Sequence, residues 1–429
     1  MFRKLHLVLG SLLLPLAPLW IPAAVAKDLP TSTPEKVGLS SERLAHMDKV
    51  VHGWVDAGRT PGTIVIVARH GKIVHNDVYG PADVASGRKM RSDDLFRLYS
   101  MTKPITSVAL LMLYEEGRFQ LKDPLAKYLP AFADMKVYAG PAPGGGMLLD
   151  APRRPVTIQD VFRHTAGFSY GFGMGSSPVD QSYMKANLFE KDLSDLVSKV
   201  AGLPLAYQPG ERWEYSVAHD VQAALVEKLS GMPFDQFVRE RILLPLGMKH
   251  TYFRIPNDQK DRLPTLYAPV AQGGATPRIE VDTSWLGKDY GDRVFGGLSL
   301  SSTASDYVIF AQMLLNKGEL DGVRILSPKT VELMSTNHLG ESALTIPSGV
   351  ISLGVGRGYG LGVSVTMDPA RYGNLGSAGE FGWSGAASTH FIVDPKEDIV
   401  AIFATQLIGG DFAIREEWLT QLYQTVVGP

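Results

Sequence analysis

The spacing of hydrophobic residues places β-strands near both ends of the chain. Apolar runs at residues 63–68 and 72–78, with a turn at His70-Gly71 between them, predict two adjacent strands. Strand-like runs return only towards the C-terminus, at residues 360–365, 388–393 and 399–405. The chain therefore begins and ends with residues suited to a sheet.

Helical spacing of apolar residues dominates the rest of the chain. Before the first strands, Ser40 can cap a helix that buries Leu44, Met47, Val51 and Trp54. Further helices are predicted at residues 158–163, 193–200, 221–229, 234–244, 304–315, 328–334 and 413–426. This order predicts an α+β fold (α/β in some schemes), with one antiparallel sheet built from both termini and a helical insertion.

Domain boundaries follow from the same order. The sheet part is expected at about residues 35–98 and 350–429, and the helical part at about 99–349. A cleft forms where a sheet edge meets a helical layer, and such clefts commonly hold active sites. The expected site therefore lies between the two parts.

The N-terminus has the pattern of a signal peptide. Arg3 and Lys4 are followed by an apolar run at residues 7–20 and by a small-residue cleavage site ending at Ala26. The alternative is a membrane anchor, but the apolar run is short and contains two prolines. We expect a cleaved signal at residues 1–26, a periplasmic or secreted protein and no stable membrane anchor.

Composition excludes several classes of function. The formal net charge is −2 and no basic run occurs, so nucleic acid is not expected as a partner. The chain has no cysteine, which excludes disulfides and thiol catalysis. Its ten histidines show no metal-ligand spacing, so neither a metal nor another cofactor is expected.

The spacing S-x-x-K occurs three times, beginning at Ser86, Ser100 and Ser182. One helical turn brings such a serine and lysine together, and a buried neutral amine can accept the serine proton. Only Ser100 is followed by a strong helical pattern, which ends before Gly117. Ser100 is therefore the candidate nucleophile, with Lys103 as its base, at a helix N-terminus that favours developing negative charge.

Two later segments contain possible partners for Ser100. Tyr215 lies in a loop before a predicted helix, and a nearby ammonium would favour its phenolate form as a general base. Residues 381–386 precede a predicted strand, where the N–H of Ala386 could join that of Ser100 in an oxyanion hole. The alternatives are a packing tyrosine and a glycine-rich strand entry in which Trp383 packs.

Seven motifs occur in order along the chain, at residues 96–103, 123–130, 164–167, 209–216, 245–248, 296–298 and 359–362. By these motifs the chain resembles class C β-lactamase-type serine hydrolases and is most similar to the family VIII carboxylesterases. The resemblance runs from about residue 35 to the C-terminus. It implies a β-lactamase/transpeptidase-like fold, Ser100 as nucleophile, Lys103 and Tyr215 as the general-base pair, and Ser100 and Ala386 as oxyanion donors.

Two departures from the β-lactamase pattern affect the expected substrate. Val217 stands where those enzymes have asparagine, and Trp383 stands where they have lysine. Without that cation the site should bind anionic β-lactams less well, and an apolar wall suits neutral esters. Substrate contacts are expected from Val217, Trp383, Ser384 and Gly385.

Residues 382–386 nearly form the G-x-S-x-G motif of another hydrolase class. That motif requires a helix after the serine, whereas a strand follows here, so a partnership of Ser384 with His390 is not expected. His164 is expected to be a structural turn residue.

The sequence thus predicts an exported serine hydrolase that cleaves small-molecule carboxylic esters through an acyl-enzyme on Ser100. A β-lactamase, a D-amino-acid-specific peptidase or a transesterase could use the same site. A non-catalytic sensor that resembles penicillin-binding proteins is the alternative of a different class.

Overall fold

The computed structural model describes residues 28–171, 177–269, 279–281, 293–340, 352–409 and 413–429. The predicted signal peptide and residues 172–176 of the glycine-rich stretch lie outside the described residues. Among the helices of the described part, none has the length and apolar character needed to span a membrane.

A seven-stranded antiparallel sheet forms the centre of the molecule. In chain order its strands are β1 Thr63–Arg69, β2 Lys72–Tyr79, β3 Arg357–Tyr359, β4 Ser364–Thr366, β5 Phe381–Ser384, β6 His390–Asp394 and β7 Ile399–Ala404. Their spatial order is β3-β4-β5-β6-β7-β1-β2. The β1–β7 pairing, from Ile64 opposite Ala404 to Arg69 opposite Ile399, joins the two ends of the chain, as predicted.

The predicted strand at residues 360–365 is wrong in detail. The chain forms β3, turns, and returns as β4, with the Gly360 N–H donating to the Val363 carbonyl at 2.8 Å. Gly362 has φ +100°, a backbone conformation that other residues rarely adopt. Two glycines in an apolar run therefore mark a hairpin. Residues 381–384, expected as a strand entry, form a separate strand, β5.

Helices cover both faces of the sheet. They are α1 Ser41–Asp56, α2 Thr102–Glu115, α3 Ile158–Phe162, α4 Pro178–Lys185, α5 Leu193–Ala201, α6 Ala218–Ser230, α7 Phe234–Val238, α8 Ala304–Leu315, α9 Pro328–Met334, α10 Pro369–Tyr372 and α11 Ala413–Tyr423. Ser40 caps α1 as predicted, accepting from the Arg43 N–H. The predicted helix at 234–244 consists of α7 and a π-helical turn, Arg239–Leu243.

Shorter elements fill the connections. The 3₁₀ helices are Pro34–Val37, Tyr99–Met101, Leu125–Lys127, Pro130–Phe132 and Asn257–Arg262. The two-stranded ribbons are Pro81–Asp83 with Arg88–Lys89, Val137–Pro141 with Met147–Asp150, Tyr267–Pro269 with Ile279–Val281, and Glu319–Leu320 with Val323–Arg324. Phe96–Arg97, Thr251–Tyr252 and Ser301–Ser302 form a three-stranded sheet.

The two faces of the sheet differ in what covers them. On one face Phe403 of β7 contacts Trp54 of α1 and Trp418 of α11, with ring centroids 6.3 and 5.7 Å apart. On the other face Phe391 of β6 contacts Tyr307 of α8. Helix α2 lies within the core on this second side, and every residue from Thr102 to Leu113 is buried. Residues at the start of α2 are therefore held rigidly.

Candidate active site

Ser100 lies in the tight turn that leads into α2. The 3₁₀ turn Tyr99–Met101 precedes the helix, and Tyr99 has φ +45°, which is uncommon for a residue with a side chain. The Tyr307 hydroxyl donates to the Met101 carbonyl at 2.8 Å, and the Leu98 N–H donates to the Leu300 carbonyl at 2.9 Å. These contacts fix the turn that presents Ser100.

Two side chains donate hydrogen bonds to the Ser100 hydroxyl. Nζ of Lys103 lies 3.0 Å from Oγ, and the Tyr215 hydroxyl lies 2.6 Å from it. Nζ of Lys103 also lies 4.7 Å from the centre of the Tyr215 ring. The structure thus brings together the three residues that the sequence analysis placed in one site.

Lys103 is fully buried, which is unusual for a lysine. Burial lowers the pKa of its ammonium, and the nearby Asp220 carboxylate partly opposes that shift. Nζ also donates to the Gly297 carbonyl at 2.7 Å, which fixes its position. A lysine with a lowered pKa is a competent proton acceptor near neutral pH.

The predicted phenolate at Tyr215 is corrected by the structure. Burial raises the pKa of the Tyr215 phenol, so the phenol is neutral and donates to Ser100. The phenolate was expected from the effect of a neighbouring ammonium, but the loss of solvation around the buried phenol is the larger effect here. Lys103 is therefore the member of the pair that can accept a proton near neutral pH, whereas the neutral Tyr215 hydroxyl donates a hydrogen bond to Ser100.

His164 supports the loop that carries Tyr215. Its Nδ1 accepts from the Ser216 N–H at 3.2 Å, and its ring lies 4.8 Å from that of Tyr215. Burial holds the pKa of His164 well below its usual range, so the ring is neutral. Its φ of +56° is consistent with the expected turn residue. The contact with Ser216 was not visible in the sequence, because 52 positions separate the two residues.

Asp220 is a buried site residue that sequence reasoning missed. Its Oδ1 accepts from the Gly297 N–H at 2.9 Å, so one glycine contacts both Asp220 and Lys103. Burial raises the pKa of this carboxyl, and the Lys103 charge opposes that shift. The only signal in the sequence was its place five residues after Tyr215, at the start of α6.

Aromatic side chains form a wall beside Tyr215. The Trp383 ring lies 5.6 Å from Tyr215 and 5.2 Å from Tyr359, and Trp213 lies 5.6 Å from Tyr359. Trp383 is thus next to the Ser100 partners, where the sequence analysis expected it. Because residue 383 is a tryptophan, it brings no positive charge to this wall.

The turn after β5 lies directly against the segment that carries Ser100. An ideal Cβ added to Gly385 would lie 2.3 Å from the Leu98 carbonyl oxygen, so only glycine permits this approach. Among the described residues, none accepts a hydrogen bond from the Ala386 N–H. That group remains available to a ligand, and its oxyanion role stays a prediction.

Two expected substrate contacts are corrected. Val217 is fully buried in the core at the start of α6, which leaves no exposed side-chain atom for a ligand. The Ser384 hydroxyl lies 2.7 Å from Nδ1 of His390, a partnership that the sequence analysis discounted. The two residues face each other across the β5–β6 pair. Because side chains alternate along a strand, Ser384 lies on the face opposite Trp383.

The other two S-x-x-K segments lack a buried amine. Ser86 to Lys89 lies at the turn of a short ribbon, and the Lys89 side chain is exposed. Ser182 and Lys185 lie on α4, where the Ser182 hydroxyl donates to the Val179 carbonyl and Lys185 is exposed. In the described part of the chain, acidic and histidine side chains form no cluster that could hold a metal ion.

Comparison with known proteins extends over most of the chain. The family model described as Beta-lactamase matches residues 47–424. Protein Rv1367c of Mycobacterium tuberculosis (strain ATCC 25618 / H37Rv) is 34% identical over 355 residues, covering 82% of this chain and 87% of that protein. Esterase EstB of Burkholderia gladioli is 30% identical over 370 residues, covering 82% and 87%.

Solved structures of other proteins have the same fold as this chain. EstCE1, described as a hydrolase with promiscuous acyltransferase activity, superimposes with a TM-score of 0.73 at 25% identity, over 90% of this chain and 99% of that chain. The predicted fold class and the predicted resemblance are confirmed. A family match of this extent, with an esterase among the relatives, shows that the chain belongs to the Beta-lactamase family of serine hydrolases.

Proposed function

We propose that this protein hydrolyses carboxylic esters through an acyl-enzyme on Ser100. One observation carries the proposal: the Ser100 hydroxyl lies 3.0 Å from the buried amine of Lys103 and 2.6 Å from the Tyr215 hydroxyl. A serine needs an adjacent base to act as a nucleophile near neutral pH, and this geometry supplies one.

Acylation follows from the two hydrogen bonds to Ser100. The Oγ atom attacks the ester carbonyl carbon as its proton passes to neutral Lys103. When the tetrahedral intermediate collapses, the carbon–oxygen bond to the alcohol breaks. The Tyr215 hydroxyl protonates the leaving alkoxide and regains a proton from the Lys103 ammonium. Deacylation repeats these transfers in reverse, with water in place of the alcohol.

The oxyanion of the intermediate needs donors aimed at it. The backbone N–H groups of Ser100 and Ala386 are the candidates, because the Gly385 turn lies against the Ser100 segment. Backbone donors fixed before the reaction stabilise developing charge without reorganisation. This role requires no metal.

Neutral esters suit the surroundings of the nucleophile better than anionic substrates. Trp383 packs beside Tyr215 and brings no positive charge to bind a substrate carboxylate. The name of the relative EstB, an esterase, agrees with this preference. β-Lactam or D-amino-acid peptide hydrolysis at the same site is the alternative, since the acyl-enzyme chemistry is the same.

Parallel assays test the proposal. The wild-type protein should hydrolyse a short-chain p-nitrophenyl ester with a higher kcat/KM than a chromogenic cephalosporin, and a series of ester chain lengths would define the acyl preference. A higher kcat/KM for the cephalosporin would overturn the substrate ranking. Turnover of neither compound, with no covalent adduct at Ser100, would favour a non-catalytic sensor.

Acyl transfer to an alcohol is a second candidate activity. It is favoured by the likeness to EstCE1, which is described as having promiscuous acyltransferase activity. With an ester donor and added short alcohols, the ratio of new ester to free acid measures this activity. Free acid as the sole product across alcohols would rule it out.

We also propose export, from the signal-like residues 1–26. Expression of the full chain in a Gram-negative host, followed by fractionation and N-terminal mass analysis, tests this. A mature protein that begins at Lys27 in the periplasm is expected. An intact N-terminus in the cytoplasm would contradict export.

A further inference from the structure

A buried carboxylate next to Lys103 takes no part in the mechanism above. Asp220, on α6, is fully buried, and its Oδ1 accepts from the Gly297 N–H at 2.9 Å. The carbonyl of the same glycine accepts from Nζ of Lys103 at 2.7 Å. Asp220 and Lys103 are therefore bound to the same residue, one through its N–H and the other through its carbonyl.

The second oxygen of this carboxylate, Oδ2, has no hydrogen-bond partner among the described residues. A buried charge without a partner is costly, so a carboxylate here needs compensation by charge. Burial lowers the pKa of Lys103 and raises that of Asp220, and each charge opposes the shift of the other. The two groups therefore titrate as a pair.

Gly297 leaves room for this arrangement. An ideal Cβ at position 297 would lie 2.9 Å from Oδ2 of Asp220 and 2.9 Å from the Tyr170 hydroxyl. Real Cβ atoms are essentially never that close to another heavy atom. A side chain at this position would displace either the carboxylate or the phenol.

We propose that Asp220 is a positioning residue for Lys103: through Gly297 it holds the amine against Ser100, and its negative charge sets the pH at which that amine can accept the serine proton. The inference rests on the proposed function, because Lys103 matters to catalysis only if Ser100 is the nucleophile.

Other titratable groups around Lys103 do not supply a negative charge. The amine faces the rings of Tyr170 and Tyr215, and its charge acts on the nearby imidazoles of His164 and His219. Burial holds the pKa of both imidazoles well below their usual range and raises that of the Tyr215 phenol. Among these groups, Asp220 alone is an acid that can ionise near neutral pH.

The variant Asp220→Asn separates charge from geometry. Asparagine keeps an oxygen that can accept from the Gly297 N–H, but it is uncharged. Without the carboxylate, the pKa of Lys103 falls further. The acidic limb of kcat/KM against pH, measured with p-nitrophenyl acetate, should then move to lower pH by about one to three units.

A matched control removes another buried carboxylate. Asp306 accepts from the His250 N–H and the Thr251 hydroxyl, and burial raises its pKa as well. Asp306→Asn should lower stability without moving the acidic limb. If Asp220→Asn lowers kcat/KM equally at every pH and leaves the limb in place, Asp220 is only structural and the inference is overturned.

A second variant, Gly297→Ala, tests the inference if Asp220→Asn does not fold. Gly297→Ala retains every ionisable group but crowds the carboxylate, so kcat should fall about tenfold or more, with a displaced limb. Wild-type kinetics from this variant would contradict the inference. The rate at which a fluorophosphonate labels Ser100 gives the same pH profile without ester turnover. Absence of wild-type labelling would mean that the proposed function has failed, and the inference with it.

Discussion

Ser100 and Ser384 each lie within hydrogen-bond distance of a buried base, but the two serines differ in their surroundings. Ser100 Oγ lies 3.0 Å from Lys103 Nζ, on the side of the sheet that holds α2 and α6. Ser384 Oγ lies 2.7 Å from His390 Nδ1, on the side covered by α1 and α11. By distance alone, the second pair is the closer one.

The bases differ in how burial affects their readiness to accept a proton. Burial lowers the pKa of Lys103 from a high starting value, which makes the amine available near neutral pH. Burial also lowers the pKa of His390, whose usual value is already near neutrality, and Arg415 and Arg357 lower it further. The same physical effect therefore makes the lysine a usable base and the histidine a poor one.

The accessory groups differ as well. Ser100 receives a second hydrogen bond from Tyr215 and lies before the N-terminus of a long helix. The His390 ring instead lies 6.1 Å from that of Phe403, which is part of the core under α1 and α11. A serine hydrogen-bonded to a base is therefore not sufficient evidence of a nucleophile. Ser100 and Ser384 are distinguished by the pKa of the neighbouring base and by the presence of a second proton donor.

The largest expected difference comes from removing each hydroxyl in turn. Ser100→Ala should lower kcat for a p-nitrophenyl ester by about 10⁴- to 10⁶-fold, because the nucleophile is lost. Ser384→Ala should leave kcat within about twofold and cost about 1 kcal/mol of stability, the value of one ordinary hydrogen bond. Equal losses in the two variants would break the comparison.

The two groups that donate to Ser100 should have the next largest effects. Lys103→Met removes the base while keeping an apolar side chain in the buried site, and Tyr215→Phe removes only the hydroxyl. Each should lower kcat/KM by about 10²- to 10⁴-fold, the usual contribution of general acid–base catalysis. Circular dichroism and thermal unfolding check that both variants fold. Activity near the wild-type level in Lys103→Met would show that another base serves Ser100.

Neighbouring positions on β5 should differ in their effect on substrate choice. Trp383 faces the site and Ser384 faces away from it, so Trp383→Lys would introduce a cation beside Tyr215. The ratio of kcat/KM for an anionic cephalosporin to that for a neutral ester should rise about tenfold or more, as expected for a charge-assisted hydrogen bond. Ser384→Lys is the matched control and should leave the ratio unchanged.

The smallest expected effect concerns the pH dependence of stability. A neutral buried His390 has a folded-state pKa well below its unfolded value of about 6.5. Below pH 6.5 the unfolded chain binds a proton that the folded chain does not. The free energy of unfolding therefore loses about 1.4 kcal/mol per pH unit from this group as the pH falls.

His390→Asn removes that contribution. Denaturant unfolding between pH 7 and pH 5 should give a shallower pH dependence in the variant than in the wild type, by about one proton. Parallel slopes would mean that His390 is protonated in the folded protein. In that case the contrast between its base strength and that of Lys103 would be lost.

Local spacing in the sequence was enough to predict the Ser100–Lys103 pair, but not the residues that hold Lys103 in place. Ser100 and Lys103 are one helical turn apart, so a helical pattern brings them together. The contact of Lys103 with Gly297 joins residues 194 positions apart, and no periodicity in the sequence reports it. Asp220 was missed for the same reason, since its partner is also Gly297.

The Ser384–His390 contact depends on a strand pair that the sequence pattern did not predict. Residues 381–386 were expected to precede a strand at residues 388–393, whereas residues 381–384 themselves form β5, which pairs with β6. Their register sets Ser384 opposite His390. The Tyr215 phenolate was wrong for a different reason: neighbouring charge can be anticipated from motifs, but loss of solvation depends on the packing around a side chain.

Covalent labelling tests most directly which serine is the nucleophile. The wild-type protein, Ser100→Ala and Ser384→Ala would each be treated with a fluorophosphonate, digested and mapped by peptide mass spectrometry. We predict one adduct on the peptide that contains Ser100 in the wild type and in Ser384→Ala, and none in Ser100→Ala. An adduct on Ser384, or continued labelling of Ser100→Ala at the wild-type rate, would contradict the assignment of Ser100.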